Sequence, residues 1–181
     1  ASSYILPEPL GVCLIIGAWN YPYQLTLAPA VAAIAAGNTV VLKPSELPSK
    51  TAEVMADIIN SNFPPAYFHV VQGGVEETTE LLQQKFDKIF FTGSTKVGKI
   101  VYKAAAENLT PVTLELGGKS PAFVTKDANL KITAKRMIWA KFLNAGQTCI
   151  APDYVMVDKS VEERFLQLAK QEIVNAKYTF E

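Results

Sequence analysis

Several absences narrow the possibilities before any motif is read. The chain has 181 residues and a single histidine, His69. His69 stands between Phe68 and Val70 in an apolar stretch and reads as a strand side chain. That sets aside a Ser-His-Asp triad, a His-paired thiolate and a multi-His metal site. The two cysteines, Cys13 and Cys149, form neither a CxxC pair nor a disulfide framework, as expected of a protein from a reducing cytoplasm. There is no excess of either charge: 17 Lys+Arg face 17 Asp+Glu. A nucleic-acid or anionic-membrane binder would carry a basic surplus, so neither partner is expected. The longest apolar runs, Gly11–Trp19 and Ala30–Ala36, are far shorter than the roughly 20 residues of a bilayer span. No charged-then-apolar leader opens the chain. It begins at Ala1 without methionine and stops at Glu181 within a helical pattern, which reads as a piece of something longer.

What is present is a sequence with a core. Hydrophobic residues make up 49% and charged residues 19%, a globular balance rather than a disordered one. Apolar β-branched runs alternate with helical patterns. Strands are expected at Gly11–Ile16, Thr39–Leu42, Phe68–Val71, Lys88–Phe91 and Val112–Leu116. Between them come helices at about Tyr23–Ala36, Pro48–Ser61, Glu76–Gln84 and Lys96–Glu107. Gly37-Asn38 is a glycine-type helix stop. This rhythm predicts an α/β fold, a parallel sheet with right-handed crossovers and helices on both faces. After Gly117-Gly118 the rhythm changes. A short strand at Ala122–Val124, a helix capped by Asn129, a strand at Tyr154–Val157 and a last helix follow. Ser160 with Glu163 three residues on reads as that helix's capping box. The expected organisation is one domain over 1–116 and the start of a second, incomplete, over 117–181.

Open parallel sheets bind ligands at the carboxyl ends of their strands, and three turns there carry unusual polar residues. In Gly17-Ala18-Trp19-Asn20-Tyr21-Pro22, the Asn20 amide is a candidate hydrogen-bond donor to a developing oxyanion, or simply a turn former. In Lys43-Pro44-Ser45-Glu46, the lysine is placed to reach phosphate or ribose oxygens and the carboxylate to accept from ribose hydroxyls. A solvated turn with a surface ion pair explains the same residues. The third turn, Phe91-Thr92-Gly93-Ser94-Thr95-Lys96-Val97-Gly98-Lys99, lets backbone approach a ligand at Gly93, with Ser94 or Thr95 capping the next helix. It is neither G-x-G-x-x-G nor a P-loop, because Ile100 stands where a P-loop needs Ser or Thr.

Two further residues invite chemistry. Cys149 lies in a polar, glycine-containing loop, Asn144-Ala-Gly-Gln-Thr-Cys149-Ile-Ala-Pro152, whereas Cys13 sits between Val12 and Leu14 in an apolar strand and reads as core. A cysteine in the first setting is a candidate nucleophile or an inert thiol. Glu115 ends an apolar strand before two glycines. Partly buried, it would serve as a general base near neutral pH; facing outward, it is an ordinary residue of an alternating strand.

Taken together, Ile16-Gly-Ala-Trp-Asn-Tyr-Pro22, Val41-Leu-Lys-Pro-Ser-Glu46, Phe91-Thr-Gly-Ser-Thr-Lys-Val-Gly98, Leu114-Glu-Leu-Gly-Gly-Lys-Ser-Pro121 and Gly146-Gln-Thr-Cys149 resemble the aldehyde dehydrogenase superfamily, in the family's order. Gly73-Gly-Val-Glu-Glu-Thr-Thr79 and the stretch from Gly146 to Tyr154 look most like its class 3 branch, the fatty and aromatic aldehyde dehydrogenases. The resemblance implies a Rossmann-like dinucleotide-binding domain followed by the beginning of a catalytic domain. It makes Cys149 the nucleophile that forms a thiohemiacetal and then a thioester. Asn20 becomes the oxyanion donor, with the Cys149 backbone N–H, and Glu115 the base that activates water. Lys43 and Glu46 match the adenosine-ribose residues. Ile16, Gly17, Ala18, Trp19, the segment Gly93, Ser94, Thr95, Lys96, Val97, Gly98, and Leu116 match the cofactor-binding positions.

The implied cofactor is NAD or NADP. Glu46 would repel a 2′-phosphate and Lys43 attract one, a slight lean to NAD. The implied substrate is an aliphatic or aromatic aldehyde, and the implied assembly of the full-length protein a homodimer. Family members run to more than twice this length, and the family's downstream Glu-x-Phe-Gly-Pro motif has no counterpart here. A semialdehyde or CoA-acylating member of the superfamily, or a binding protein that retains the fold, are the alternative readings. Glu115 weighs against the CoA-acylating type, which needs no water-activating base.

Overall fold

The structure, a computed structural model, describes residues 2–177. The helical pattern expected to continue to Glu181 therefore lies outside the described residues beyond Lys177. Contacts divide the chain into two compact units, Ala1–Leu116 and Gly117–Glu181.

The first unit is built on five strands: β1 (Val12–Ile16), β2 (Thr39–Lys43), β3 (Phe68–Val70), β4 (Lys88–Gly93) and β5 (Val112–Leu116). They are joined by α1 (Gln24–Ala35), α2 (Ser49–Asn62), α3 (Val75–Leu82) and α4 (Thr95–Ala106). All pairs are parallel, in the order β3-β2-β1-β4-β5. The chain thus winds outward from β1 to β3, then returns past β1 to continue on its other side. Alternation along the strands explains why both faces are filled. Cys13 and Ile15 join Val40, Leu42, Phe68 and Val70 against Ala30, Ala56 and Ile59 of α1 and α2. The intervening Leu14 and Ile16 join Ile89 and Phe91 against Val101 and Ala105 of α4 and Leu82 of α3.

Helix α1 stops where the sequence predicts. Gly37 adopts φ +86°, Asn38 N–H donates to Ala33 O (3.0 Å) and Gly37 N–H to Ile34 O (2.9 Å). This is a Schellman closure, which needs a left-handed residue after the helix. The buried Asn38 amide also accepts from Leu10 and Gly11 N–H at 2.7 and 3.0 Å, tying the helix end to the entry of β1.

The second unit holds a two-stranded parallel sheet, β6 (Ser120–Val124) and β7 (Pro152–Val157), with α5 (Leu130–Phe142) and α6 (Glu162–Asn175). Its buried cluster is Val124, Ala134 and Phe165. Asn129 caps α5 as expected, its Oδ1 accepting from Ile132 N–H at 3.2 Å. The capping box at Ser160 does not form. The Ser160 hydroxyl and N–H both donate to Asp158 Oδ1, at 2.6 and 2.9 Å, and the cap position of α6 falls at Val161 with no side-chain bond. A carboxylate two residues back offers a stronger acceptor than the helix end offers donors, so the serine turns the other way. Asp158 is correspondingly held below the usual carboxylate range by those two bonds.

Candidate active site

The carboxyl edge of the first unit's sheet collects most of the residues singled out in the sequence. At its centre β1 and β4 are neighbours whose outgoing connections run to opposite faces, the switch point at which open α/β sheets bind ligands. Ile16, the last residue of β1, is paired with Lys43 on one side and Phe91 on the other. Gly17 N–H donates to Lys43 O at 3.0 Å, which fixes how the turn leaves the strand. Gly17 has no room for a side chain, since a Cβ there would overlap Thr26 Oγ1 of α1. Ala18 is buried, Trp19 exposed and Asn20 half-buried in the turn that follows.

Lys43 departs from the solvated reading of its turn. It is the final residue of β2, only 1% exposed, and its Nζ donates to Pro44 O at 2.6 Å. A solvated surface ion pair is therefore excluded. Burial pushes the ammonium below the usual lysine range, opposed by Glu46 and then Glu77. Glu46 itself is exposed.

Gly93 ends β4, with Leu116 opposite it in register. A Cβ on Gly93 would stand 2.6 Å from the Phe91 ring. Ser94 caps α4 through Val97 N–H at 3.2 Å, and Gly98 N–H donates to Ser94 O at 2.8 Å. Thr95, Lys96 and Val97 form the exposed first turn. Gly98 is buried because α4 leans on β5 there: a Cβ would lie 2.9 Å from Leu116 Cδ2.

Of the two settings left open for Glu115, partly buried or facing outward, the structure shows the outward one. Opposite Thr92 in the register and on the outermost strand of the first unit's sheet, it is exposed. An edge strand has a neighbour on one side only, and the alternation of β5 puts Leu114 and Leu116, not Glu115, against the core.

Cys149 belongs to the second unit and is exposed, whereas Cys13 is buried in β1. Burial first, then Asp87, pushes the Cys13 thiol up, with Lys88 opposing, so Cys13 stays protonated and inert at neutral pH. The loop ahead of Cys149 is unusual. Asn144, Ala145 and Gly146 all take left-handed φ, +51°, +56° and +77°. Two consecutive non-glycine residues in that region cost about 1–2 kcal/mol each. Gly118 supports the loop from the other side, where a Cβ would lie 2.9 Å from the Cys149 carbonyl oxygen. The cavity of about 490 Å³ in this unit lies at the opposite end of β6 and β7, among Phe123–Asp127 and Met156–Asp158, away from Cys149.

One residue of the sheet edge had no role in the sequence reading. Thr92, on β4 beside Gly93, has a buried Oγ1 with no hydrogen-bond partner. A hydroxyl closing the apolar run Ile89-Phe90-Phe91 was the available signal. Among the described residues no group of three or more His, Cys, Asp or Glu could hold a metal ion, and no helix is long and apolar enough to cross a membrane.

A doubly wound parallel sheet with polar residues at its switch-point edge is an architecture in which open α/β sheets bind ligands. The aldehyde dehydrogenase family model matches residues 1–179, and the chain belongs to that family. It is 54% identical over 171 residues to aldehyde dehydrogenase family 3 member A2 of Rattus norvegicus, covering 94% of this chain and 35% of that protein. To the dimeric NADP-preferring aldehyde dehydrogenase of Mus musculus it is 55% identical over 170 residues, covering 94% and 38%. A crystal structure of Mycobacterium tuberculosis aldehyde dehydrogenase complexed with NAD+ superposes with TM-score 0.85 at 35% identity, over 92% of this chain and 35% of that one. The chain thus spans about a third of the length of these relatives. The family uses NAD or NADP. The residues present fit such a group: a buried lysine with donors to spare, an orphaned threonine hydroxyl at the switch point, and the first-turn N–H groups of α4.

Proposed function

We propose that this chain supplies the nucleotide-binding edge and the nucleophile of an NAD(P)-dependent aldehyde dehydrogenase, oxidising medium or long aliphatic or aromatic aldehydes to acids. The observation that carries the reading is the contrast between its two thiols, Cys13 sealed in a central strand and Cys149 exposed on a strained polar loop. A thiolate at Cys149 attacks the aldehyde carbon, and the Asn20 amide with the Cys149 backbone N–H donate to the resulting oxyanion. A nicotinamide cofactor held here would supply the acceptor for the hydride that leaves the thiohemiacetal carbon, so that Cys149 is left as a thioester. Glu115 then takes a proton from the water that hydrolyses the Cys149 thioester, restoring the thiol and releasing the acid.

Lys43, Thr92 and the first turn of α4 hold the cofactor, with Glu46 at the adenosine ribose and a slight preference for NAD over NADP. In this reading the enzyme works in the cytoplasm as a homodimer and binds no nucleic acid. The test is the Cys149→Ala variant of the longest polypeptide that carries this sequence, with formation of NADH or NADPH followed on octanal and benzaldehyde. A fall of at least about 10³-fold is expected while nucleotide binding persists. Undiminished oxidation by the variant overturns the assignment.

A further inference from the structure

The first turn of α1 holds a hydroxyl that the chemistry above leaves unused. Thr26 is fully buried, and among the described residues its Oγ1 has no hydrogen-bond partner. A threonine inside a helix commonly turns its hydroxyl back onto a carbonyl of the preceding turn. Thr26 instead sets Oγ1 against the backbone of Gly17, where a Cβ would overlap it. Thr26 Cβ and Cγ2 would lie 2.9 and 3.2 Å from that same position. A buried hydroxyl left unpaired costs stability, so one kept in a helix core calls for a reason.

The contact joins the two ends of one turn. Gly17 follows the last residue of β1 and is fixed by its N–H bond to Lys43 O at 3.0 Å. At the other end Leu25 N–H donates to Tyr21 O at 2.9 Å, and Leu27 N–H to Tyr23 O at 2.7 Å. Between these anchors lie buried Ala18, exposed Trp19 and half-buried Asn20. Gly17 and Thr26 close the turn across its neck. Oxygen approaches a Cα more closely than a methyl does, at about 3.3–3.6 Å against about 3.5–4.0 Å between carbons. The hydroxyl therefore lets the neck close further than an aliphatic side chain of the same shape.

We infer that Thr26 is a positioning residue for the oxyanion donor. Resting on the assignment of Asn20 above, its unpaired hydroxyl seats Gly17 against α1 and so fixes the place from which the Asn20 amide donates.

Two variants separate this role from simple packing. Thr26→Val keeps the shape and exchanges the hydroxyl for a methyl; Thr26→Ser keeps the hydroxyl and loses the methyl. Octanal oxidation is followed at neutral pH in the longest polypeptide that carries this sequence. Thr26→Val is expected to lower kcat about tenfold and change KM for octanal by less than about twofold, because the oxyanion forms only as the carbonyl is attacked. Thr26→Ser stays within about threefold of wild type.

A double-mutant cycle reads whether the effect passes through Asn20. Asn20→Ala alone lowers kcat about 10²–10³-fold, and on that background Thr26→Val costs less than about twofold. Hydrogen exchange over residues 17–23 is faster in Thr26→Val than in Thr26→Ser, a readout that needs no turnover. Where Thr26→Val does not fold, Thr26→Ala, which opens the neck, takes its place in the cycle with the same non-additivity expected. A packing role reverses the ranking, so tolerance of valine, or serine as impaired as valine, overturns the inference. Losses that multiply in the cycle overturn it as well. Undiminished oxidation by Asn20→Ala overturns the assignment of Asn20 itself.

Discussion

The two units of the chain bury their sheets to different extents. In the first, five parallel strands have helices on both faces and two separate clusters of buried side chains. In the second, two parallel strands rest on α5 and α6 through a cluster of three buried residues, and Phe123, Tyr154 and Met156 stay exposed. Parallel strands ordinarily lie inside a sheet with both faces covered. The first unit meets that condition within itself and the second does not. The difference extends to chemistry: the closed sheet organises a row of polar residues along one edge, and the open one carries the exposed thiol on a loop.

The largest expected contrast between the units is in thiol reactivity. With iodoacetamide at neutral pH, Cys149 alkylates about 10³-fold faster than Cys13, whose exposure requires opening of a central strand. Mass-spectrometric counting of modified sites checks this, and comparable rates would erase the contrast. Next come the cores. Leu42→Ala removes a fully buried side chain of β2 and lowers the stability of the first unit by about 3 kcal/mol. Phe165→Ala does similar damage to the second unit. Hydrogen exchange read by mass spectrometry should show protection lost in each unit separately; loss in β1 and β2 from Phe165→Ala would mean one cooperative block.

Smaller effects follow from the close approaches. Gly17→Ala drives a methyl into Thr26 of a packed helix and costs about 2 kcal/mol in chemical denaturation. Gly118→Ala pushes only on the Cys149 carbonyl of a loop, costs about 1 kcal/mol, and changes the alkylation rate of Cys149. The smallest pair is the two serines. Ser94→Ala deletes a working cap and costs about 1 kcal/mol. Ser160→Ala, whose hydroxyl serves Asp158 rather than a helix, shifts stability by less than about 0.5 kcal/mol.

How far these features could be read in advance depends on how local their causes are. The five strands and four helices of the first unit were legible because alternating apolar pairs such as Cys13/Ile15 and Leu14/Ile16 impose a two-faced strand. The Gly37-Asn38 stop was legible because a left-handed residue closes a helix with few alternatives. The cap at Asn129 was read correctly and that at Ser160 was not. Both serve bonds a few residues away, but at Ser160 a rival acceptor, Asp158, sits just upstream. Lys43 shows the limit more sharply. Its sequence neighbours, Pro44-Ser45-Glu46, describe a polar turn, and nothing local indicates that it is buried.

The sequence by itself determined the strand and helix periodicity, the winding that follows from it, and the family, because each depends on neighbours along the chain or on an ordered set of motifs. Only the tertiary structure decided that Lys43 is buried and that Glu115 is exposed on an edge strand. Burial at a residue is set by whatever packs over it. For these two, the register of adjacent strands brought those neighbours in or left them out.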